Sequence, residues 1–331
     1  MPSSGRLVKI LLGLAVSAGL LVYVFWDVDL GAIAAHLRGT LWTFLAVSVA
    51  LNFASMGARA WRWGYLFPPD TRPVRLYRAV LIGYMGNNLL PLRAGELVRI
   101  YVASRHGPRF WTTLATVVVE RVLDGLALGL IIVGLLLVIP VPAEVRWSIA
   151  IFMIVDVVAM ALLVTIAVAP GTCRTLIEVL FHRIGGLERR LLDLLGTMTE
   201  GLRGLRTPSH VIPILLASVG IWLAFALSVW TALRAAHLDL PLAASWTVLA
   251  FLGLGVSVPS SPGFVGVVQA ATVLALALFA VPRTEALSFS LLLHASQFFP
   301  VTAVGLVYLL LEHVSLTDAA RVPSQVASSD R

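Results

Sequence analysis

Long apolar runs alternate along this chain with short segments that contain arginine. One uncharged run extends from Val211 to Leu233, and a much longer one extends from Leu240 to Pro282. An uncharged run of roughly 18 residues or more is typical of a transmembrane helix. The pattern therefore predicts an all-α polytopic membrane protein with six full spans, at about 7–26, 41–60, 122–139, 147–169, 211–233 and 286–311.

Two further apolar segments do not fit single crossings. The segment 76–91 is shorter than a span and leads directly into Arg93 and Glu96. The segment 242–281 is much longer than a span, and the sequence SVPSSPGFVG at 257–266 interrupts its middle. Proline and glycine disfavour a continuous helix. Both segments are therefore predicted to be re-entrant or broken helical hairpins.

The composition supports membrane insertion. Only 12% of the residues are charged, 59% are hydrophobic and the mean hydropathy is +0.94, whereas soluble domains carry about 25% charged residues. The net charge of +7 does not indicate nucleic-acid binding, because the basic residues lie between apolar runs, as in cytoplasmic loops. The single cysteine, Cys173, excludes an internal disulfide.

The distribution of arginine predicts which ends of the spans face the cytoplasm. Three segments, 59–78, 93–121 and 170–210, carry most of the basic residues. They share one side of the membrane if 76–91 enters from the cytoplasm and returns, and if 242–281 dips in from outside. Both termini are then cytoplasmic, in agreement with the positive-inside rule. The basic residues left outside are Arg38, Arg146, Arg234 and Arg283.

The two interrupted segments also indicate an internal repeat. Each contains a Pro-x-x-x-Gly pattern, from Pro91 to Gly95 and from Pro259 to Gly263. Oppositely oriented broken helices in two halves of a chain mark the binding site of many transporters. We therefore expect one membrane domain over 1–311 with an inverted-repeat arrangement. Its expected divisions are a first half at about 1–139, a second half at about 147–311, an amphipathic cytoplasmic helix at about 173–206 and a disordered cytoplasmic tail at 312–331.

The first interruption contains the first candidate binding site. Backbone groups freed by Pro91 and Gly95 inside a bilayer need partners, which the neighbouring asparagine amides can supply. A helix start beside Arg93 would attract a phosphate, and Gly95 would let that phosphate approach the backbone closely. The alternative is a surface loop with a helix cap. The candidate headgroup-binding residues are Asn87, Asn88, Pro91, Arg93, Gly95, Glu96 and Arg99.

Three charged residues, Glu120, Arg121 and Asp124, lie at the start of the third predicted span. Glu120 and Asp124 share one helix face because they are four positions apart. Charges in a membrane are costly unless they are paired or face a cavity, and the partners expected here are Arg93 and Arg99. The three residues therefore form a structural ion-pair network, part of the substrate site, or both.

Four other polar residues stand beside or within apolar segments. Arg59 and Arg62, which are flanked by tryptophans, are interpreted as anchors whose charged ends reach the membrane surface, with phosphate contact as the alternative. Asp156 and His294 lie in the middle of predicted spans. Each is expected to be a buried polar group with a neighbouring partner, and a role in proton coupling is the alternative.

The second interruption supplies a matching candidate site. Its small and polar residues either line the other half of the binding site or serve close helix packing. Gln269 has roughly the place that Glu96 has in the first interruption, but Gln269 is neutral. The candidates are Pro259, Ser260, Ser261, Pro262, Gly263, Gly266 and Gln269.

No catalytic constellation is evident in the sequence. Asp27 and Asp29 form an acidic pair in a predicted outer segment, as in membrane glycosyltransferases, but Asp29 is explained more simply as a helix N-cap. Histidine and cysteine are too sparse for a metal cluster, and no nucleotide-binding loop or nucleophile triad is present. We therefore expect neither enzymatic activity nor a cofactor.

Three stretches together resemble a known family: GNNLLPLRAGELVRIYVASRHG, ATVVVERVLDGLAL and VPSSPGFVGVVQAA. They are similar to the flippase-like transmembrane family, which includes the membrane half of bacterial lysylphosphatidylglycerol synthases. The resemblance covers nearly all of residues 7–311. The matching motif residues are Asn88, Pro91, Arg93, Gly95 and Glu96, then Glu120, Arg121 and Asp124, and finally Pro262, Gly263 and Gly266.

The resemblance implies a lipid translocator of the bacterial plasma membrane that moves a phosphate-bearing or modified lipid between leaflets. The soluble aminoacyl-transfer domain of the fused synthases is not expected here. Some similar members are associated with hopanoid, glycolipid or polyprenyl-linked pathways, so the alternative is an accessory subunit of such a pathway. The expected partner is a membrane phospholipid or lipid-linked substrate and not nucleic acid, with a lipid-modifying enzyme or a second copy of the chain as further candidates.

Overall fold

The chain is helical throughout the residues that the structure describes. A computed structural model describes residues 4–26, 28–67, 75–105, 107–137, 143–182, 184–256 and 260–314. The helices are α1 (Ser4–Phe25), α2 (Leu30–Arg38), α3 (Trp42–Leu66), α4 (Leu76–Leu89), α5 (Gly95–Ser104), α6 (Phe110–Leu136), α7 (Ala143–Val168), α8 (Pro170–Phe181), α9 (Gly185–Gly201), α10 (Pro208–Ala235), α11 (Leu242–Gly255), α12 (Val267–Ala277) and α13 (Arg283–Leu311). Short 3-10 turns are formed by Pro91–Arg93, Leu202–Arg206 and Pro262–Phe264. The described residues include no strand. The predicted all-α polytopic class is therefore confirmed.

Three helices, α3, α10 and α13, are each long and apolar enough to cross a membrane. Over the described ranges the number rises to five if each of two bent pairs counts as one span, namely α1 with α2 at 87° and α7 with α8 at 105°. These helices correspond to five of the six predicted spans. The sixth falls on α6, where any stretch of 18 residues includes Glu120, Arg121 and Asp124. Such charges need partners inside the protein.

The first of two compact units comprises Met1–Met56, Val80–Arg99 and Ile221–Arg331. Its core is built from apolar residues of α1, α2 and α10 to α13. Helix α12 packs against α1, α11 and α13, and α13 also packs against α2. Ser48 of α3 and Ser228 of α10 each donate a hydrogen bond to the other's carbonyl oxygen, at 2.7 and 2.8 Å. Small residues at this crossing let the two helix backbones approach closely.

The second compact unit comprises Gly57–Ala79 and Ile100–Gly220. Helix α6 packs against α7 and α9, and α8 packs against α7 and α9. The segment 173–206 was predicted to be one amphipathic helix, but α8 ends at Phe181 and α9 begins only at Gly185. Glycine disfavours helix continuation, and α9 begins with two glycines. The chain therefore forms two helices here where one was predicted.

Some predictions concern residues outside the described ranges. These residues are Asp27, Pro259 and the tail from 315 onwards, which is most of the segment predicted to be disordered. The division of the chain into two sequence halves, and their inverted relation, stay predictions.

Candidate functional site

The first interrupted segment is a helical hairpin formed by α4 and α5. A Cβ atom added to Gly95 would collide with the carbonyl oxygen of Gly83 and the amide nitrogen of Asn87. One added to Gly86 would lie 2.7 Å from the Cα of Gly95, and one added to Gly83 would lie 2.8 Å from the Cβ of Arg99. These contacts are antiparallel, because later residues of α5 meet earlier residues of α4. The predicted broken hairpin is therefore confirmed, and its glycines allow the two backbones to touch.

The tip of this first hairpin is held by helix α13. Leu90 is extended, the chain then forms the Pro91–Arg93 turn, and Arg93 adopts a left-handed backbone conformation with φ of 56°. Asn88 Nδ2 donates to Thr302 Oγ1 at 2.8 Å and to the Phe298 carbonyl oxygen at 3.4 Å. The sequence predicted that Asn88 would bond the broken backbone of its own hairpin. Instead, Asn88 anchors the tip to the neighbouring helix α13.

Two polar side chains of the hairpin lie inside the protein. Asn87 Oδ1 is buried and has no hydrogen-bond partner in the part of the chain that the structure describes. Arg99 is 2% exposed, and its Nη1 lies 3.9 Å from Glu96 Oε2. Glu96 stands in the first turn of α5, where a negative charge is favourable beside the helix N-terminus. Because Arg93 is exposed, it is the arginine of this hairpin best placed to meet a head group.

The second interrupted segment is likewise a hairpin, in which α11 packs against α12. Its tip contains Gly263 and Gly266, with φ of 68° and 85°, conformations that favour glycine. Ser261 N donates to Ser17 Oγ of α1 at 2.9 Å. A Cβ atom on Gly266 would lie 2.6 Å from the Ser17 carbonyl oxygen, and one on Gly13 would lie 3.0 Å from the Ser260 carbonyl oxygen. Helix α1 therefore supports this tip, a role that no sequence motif indicated.

Gln269 connects the second tip to α13. Its Oε1 accepts from Gly266 N at 2.7 Å, and its Nε2 lies 3.0 Å from His294 Nδ1. Because the amide oxygen is already an acceptor, the amide nitrogen must donate, and His294 Nδ1 must accept. His294 is half-buried and has the neighbouring polar partner that was predicted. Gln269 caps α12 at its start, which explains why the residue can be neutral where Glu96 is charged.

The tips of the two hairpins contact each other. The guanidinium carbon of Arg93 lies 5.5 Å from the centroid of the Phe264 ring, a distance at which a cation is attracted to the ring face. A Cβ atom added to Gly263 would lie 3.3 Å from the Asn88 carbonyl oxygen. The Pro91–Arg93 turn and the Pro262–Phe264 turn are therefore neighbours within the first unit.

A cavity of about 260 Å³ lies beside these tips in the first unit. Ligand pockets typically range over about 300–1,000 Å³ and combine apolar walls with a few polar groups. Most of the lining is apolar, and Gly263 and Phe264 of the second tip form part of it. The polar lining residues are Asn52, Tyr84, Asn88, Trp222, His294 and Gln297.

Of these polar residues, sequence reasoning identified only Asn88 and His294, and Asn52, Tyr84 and Gln297 are among those it missed. Each is a polar residue in a predominantly apolar helix, and such residues inside a membrane usually face the protein interior or a cavity. That signal was available for each of them, but the local pattern does not show that the three share one cavity.

A cluster of buried charges joins α3 to α6 in the second unit. Arg59 Nη1 lies 2.7 Å from Glu120 Oε1 and 2.5 Å from Asp124 Oδ2. Arg62 Nη2 lies 2.6 Å from Asp124 Oδ1, and Arg62 Nη1 donates to Ser218 Oγ at 3.1 Å. The side chains of Arg62 and Glu120 are 0% exposed, and that of Arg59 is 5% exposed. The predicted ion-pair network exists.

The pairing partners within this cluster differ from the expectation. Arg59 and Arg62 were interpreted as anchors that reach the membrane surface, and that interpretation is wrong because both are buried against carboxylates. Arg121 adds weaker contacts, at 3.3 Å to Glu120 and 3.7 Å to Asp124, and its side chain is 40% exposed. The predicted pairing of the carboxylates with the first hairpin's arginines stays a prediction.

The two remaining acidic candidates, Asp29 and Asp156, differ in whether their carboxylates have partners. Asp29 Oδ1 accepts from Gly31 N at 2.7 Å and from Ala32 N at 3.2 Å, so its predicted role as the N-cap of α2 is confirmed. Asp156 of α7 faces Gly125 of α6, and its Oδ2 is buried without a hydrogen-bond partner among the described residues, so the partner expected for Asp156 is not found there. Among the described residues, no three His, Cys, Asp or Glu side chains are placed to hold a metal ion together.

The comparison with known families matches almost the whole chain. A family model described as the lysylphosphatidylglycerol synthase TM region matches residues 10–305, which include both hairpins and the buried charge cluster. No curated protein and no solved structure matches the chain. The match confirms the family that the sequence motifs resemble.

Proposed function

The chain belongs to the family of lysylphosphatidylglycerol synthase transmembrane regions, and on that premise we propose that it moves a phosphate-bearing or modified lipid between the two membrane leaflets. The family and the apolar helices establish a membrane protein of a lipid-related family. The observation that favours translocation is the meeting of two broken hairpins beside a cavity with apolar walls and polar groups. Broken helices that meet in this way build the substrate sites of many transporters.

In this proposal, the exposed side chain of Arg93 contacts the lipid phosphate. A charge-assisted hydrogen bond from a guanidinium to a phosphate is stronger than one between neutral groups. The left-handed Arg93 backbone and the Phe264 ring hold this side chain at the hairpin tips. The apolar walls of the adjacent cavity meet the lipid next to its phosphate while the acyl chains stay in the bilayer. No covalent chemistry is assigned to the site.

Leaflet exchange in proteoliposomes tests this proposal. The wild-type protein should speed exchange of at least one fluorescent lipid among phosphatidylglycerol, its lysyl form and a polyprenyl phosphate. Arg93→Gln should slow that exchange by roughly tenfold, because a hydrogen bond to a charged group is worth about 1.5–3 kcal/mol. Arg38→Gln is the matched control, since Arg38 is also exposed and lies at the end of α2, and its exchange rate should equal that of the wild type.

One outcome would contradict the role of Arg93, and another would contradict translocation itself. Exchange of a lipid at the wild-type rate in Arg93→Gln would show that Arg93 does not contact the lipid phosphate during transport. Failure to exchange any of the three lipids, together with tight binding of one of them, would favour an accessory subunit that presents a lipid to an enzyme.

We further propose that both termini and the α8–α9 segment lie on the cytoplasmic side of the bacterial plasma membrane. Cys173 is the only cysteine, and it is partly exposed near the start of α8. A membrane-impermeant maleimide should therefore label it in inside-out vesicles and leave it unlabelled in intact spheroplasts. In a Cys173→Ala background, Arg38→Cys should give the reverse pattern. Labelling of Cys173 in intact spheroplasts would refute the orientation.

A further inference from the structure

The cavity of the first unit has no Asp, Glu, Lys or Arg among its described lining residues, although Arg93 stacks on Phe264 at its edge. From this contrast we infer that the cavity binds a neutral, hydroxyl-bearing part of a lipid head group while the phosphate stays at Arg93. The inference rests on the proposed function and names the class of head group that the same site accepts.

Three side chains of the cavity wall have unused hydrogen-bonding capacity. Asn52, Tyr84 and Gln297 line the cavity, and none of these side chains hydrogen-bonds another group in the described part of the protein. Asn52 is only 2% exposed. The indole nitrogen Nε1 of Trp222, which also lines the cavity, is buried without a hydrogen-bond partner among the described residues, and such a buried polar group is costly. A ligand that supplied the missing hydrogen bonds would remove that cost.

The chemistry of these groups selects for hydroxyls. The amides of Asn52 and Gln297 and the phenol of Tyr84 each offer both a donor and an acceptor, and a hydroxyl group has the same two capacities. A phosphate only accepts, and inside this cavity it would have no counter-charge to offset its desolvation. An ammonium group would likewise find no carboxylate. A neutral polyol can bond both the donor and the acceptor of each amide without burying a charge.

The apolar walls suit the carbon skeleton of such a group. Trp222, Phe225 and Phe264 contribute aromatic surface to the lining, against which the C–H faces of a glycerol or sugar can pack. The cavity volume of about 260 Å³ is large enough to hold a glycerol or a single sugar. Glycerol on a phospholipid and a sugar on a glycolipid present the same chemistry here.

Lipid binding in detergent tests the inference separately from transport. Native mass spectrometry would compare phosphatidylglycerol with phosphatidylethanol, which has the same charge and acyl chains but no head-group hydroxyls. The wild type should prefer phosphatidylglycerol by roughly tenfold, since a site whose polar groups are left unpaired disfavours the analogue that lacks the hydroxyls. Gln297→Leu and Tyr84→Phe should each reduce that preference several-fold, whereas the control Tyr101→Phe, which is not in the cavity lining, should retain it.

The other outcomes are equally decisive. Equal binding of the two lipids by the wild type, or a preference for phosphatidylcholine, would overturn the inference. A glucosyl diacylglycerol, which has no phosphate, that binds as tightly as phosphatidylglycerol and is unaffected by Arg93→Gln would identify the sugar as the source of the hydroxyls and would refute the contact between a phosphate and Arg93. Selective binding without leaflet exchange would refute translocation and leave the inference about the cavity standing. Leaflet exchange without selectivity for hydroxyl groups would support translocation and refute the inference.

Discussion

Glu120→Gln is expected to lower the free energy of unfolding by about 3–5 kcal/mol, because breaking a buried ion pair leaves the remaining charges uncompensated. Glu120 is 0% exposed and lies 2.7 Å from Arg59 and 3.8 Å from Arg62. Among the described residues the cluster contains three arginines and two carboxylates. Removing one carboxylate therefore raises its net charge from +1 to +2, and the side chains of Arg59 and Arg62, which face the lost carboxylate, are only 5% and 0% exposed.

The matched control is Glu200→Gln in the same unit. Glu200 lies 4.0 Å from Arg109, and the two side chains are 46% and 84% exposed. An exposed pair of this kind contributes about 0–1 kcal/mol, so its loss should be barely measurable. Unfolding of both variants would be followed by tryptophan fluorescence in detergent micelles under increasing denaturant. Equal stability losses in the two variants would show that burial of the Glu120 cluster has no special energetic role.

This cluster also shows where reasoning from sequence stops. The motif at Glu120 and Asp124 predicted correctly that these charges need partners, since most of α6 is apolar. It did not identify the partners, because Arg59 is 61 positions away from Glu120 and no local pattern encodes that contact. Arg59 and Arg62 stand near the end of an apolar helix beside tryptophans, a context that suits a surface anchor equally well.

The two hairpins were predicted more completely because their signals are local. Pro91 and Gly95 interrupt an apolar segment, as Gly263 and Gly266 do in the second half, and helices break at both places. The contacts that hold the tips are not local. Asn88 reaches Thr302 across 214 positions of sequence. Periodicity and composition therefore fix the position of a break but not its neighbours, which depend on how helices from distant segments pack.

Gly95→Ala should prevent the first hairpin from closing and cost about 3 kcal/mol or more, at the upper end of the range for overpacking a well-packed interior. The added Cβ would overlap the carbonyl oxygen of Gly83 and the amide nitrogen of Asn87, and it would lie 2.7 Å from Asn87 Oδ1. The two overlaps are with backbone atoms of α4, which cannot rotate away as a flexible side chain can. Relief requires α5 to move off α4, and this movement would displace the tip that carries Arg93.

Gly19→Ala provides the comparison, because a Cβ on this glycine of α1 meets nothing within 4 Å. Alanine favours a helix over glycine by up to about 1 kcal/mol, so this variant should be as stable as the wild type or slightly more stable. Denaturant unfolding and lipid exchange would be measured on both variants. Gly95→Ala should lose both stability and exchange, since the tip is positioned by the contact of the two backbones. A Gly95→Ala protein with wild-type stability would show that α4 and α5 do not pack at this distance in the membrane. A stable Gly95→Ala variant with intact lipid exchange would also show that the position of Arg93 does not depend on the contact between α4 and α5.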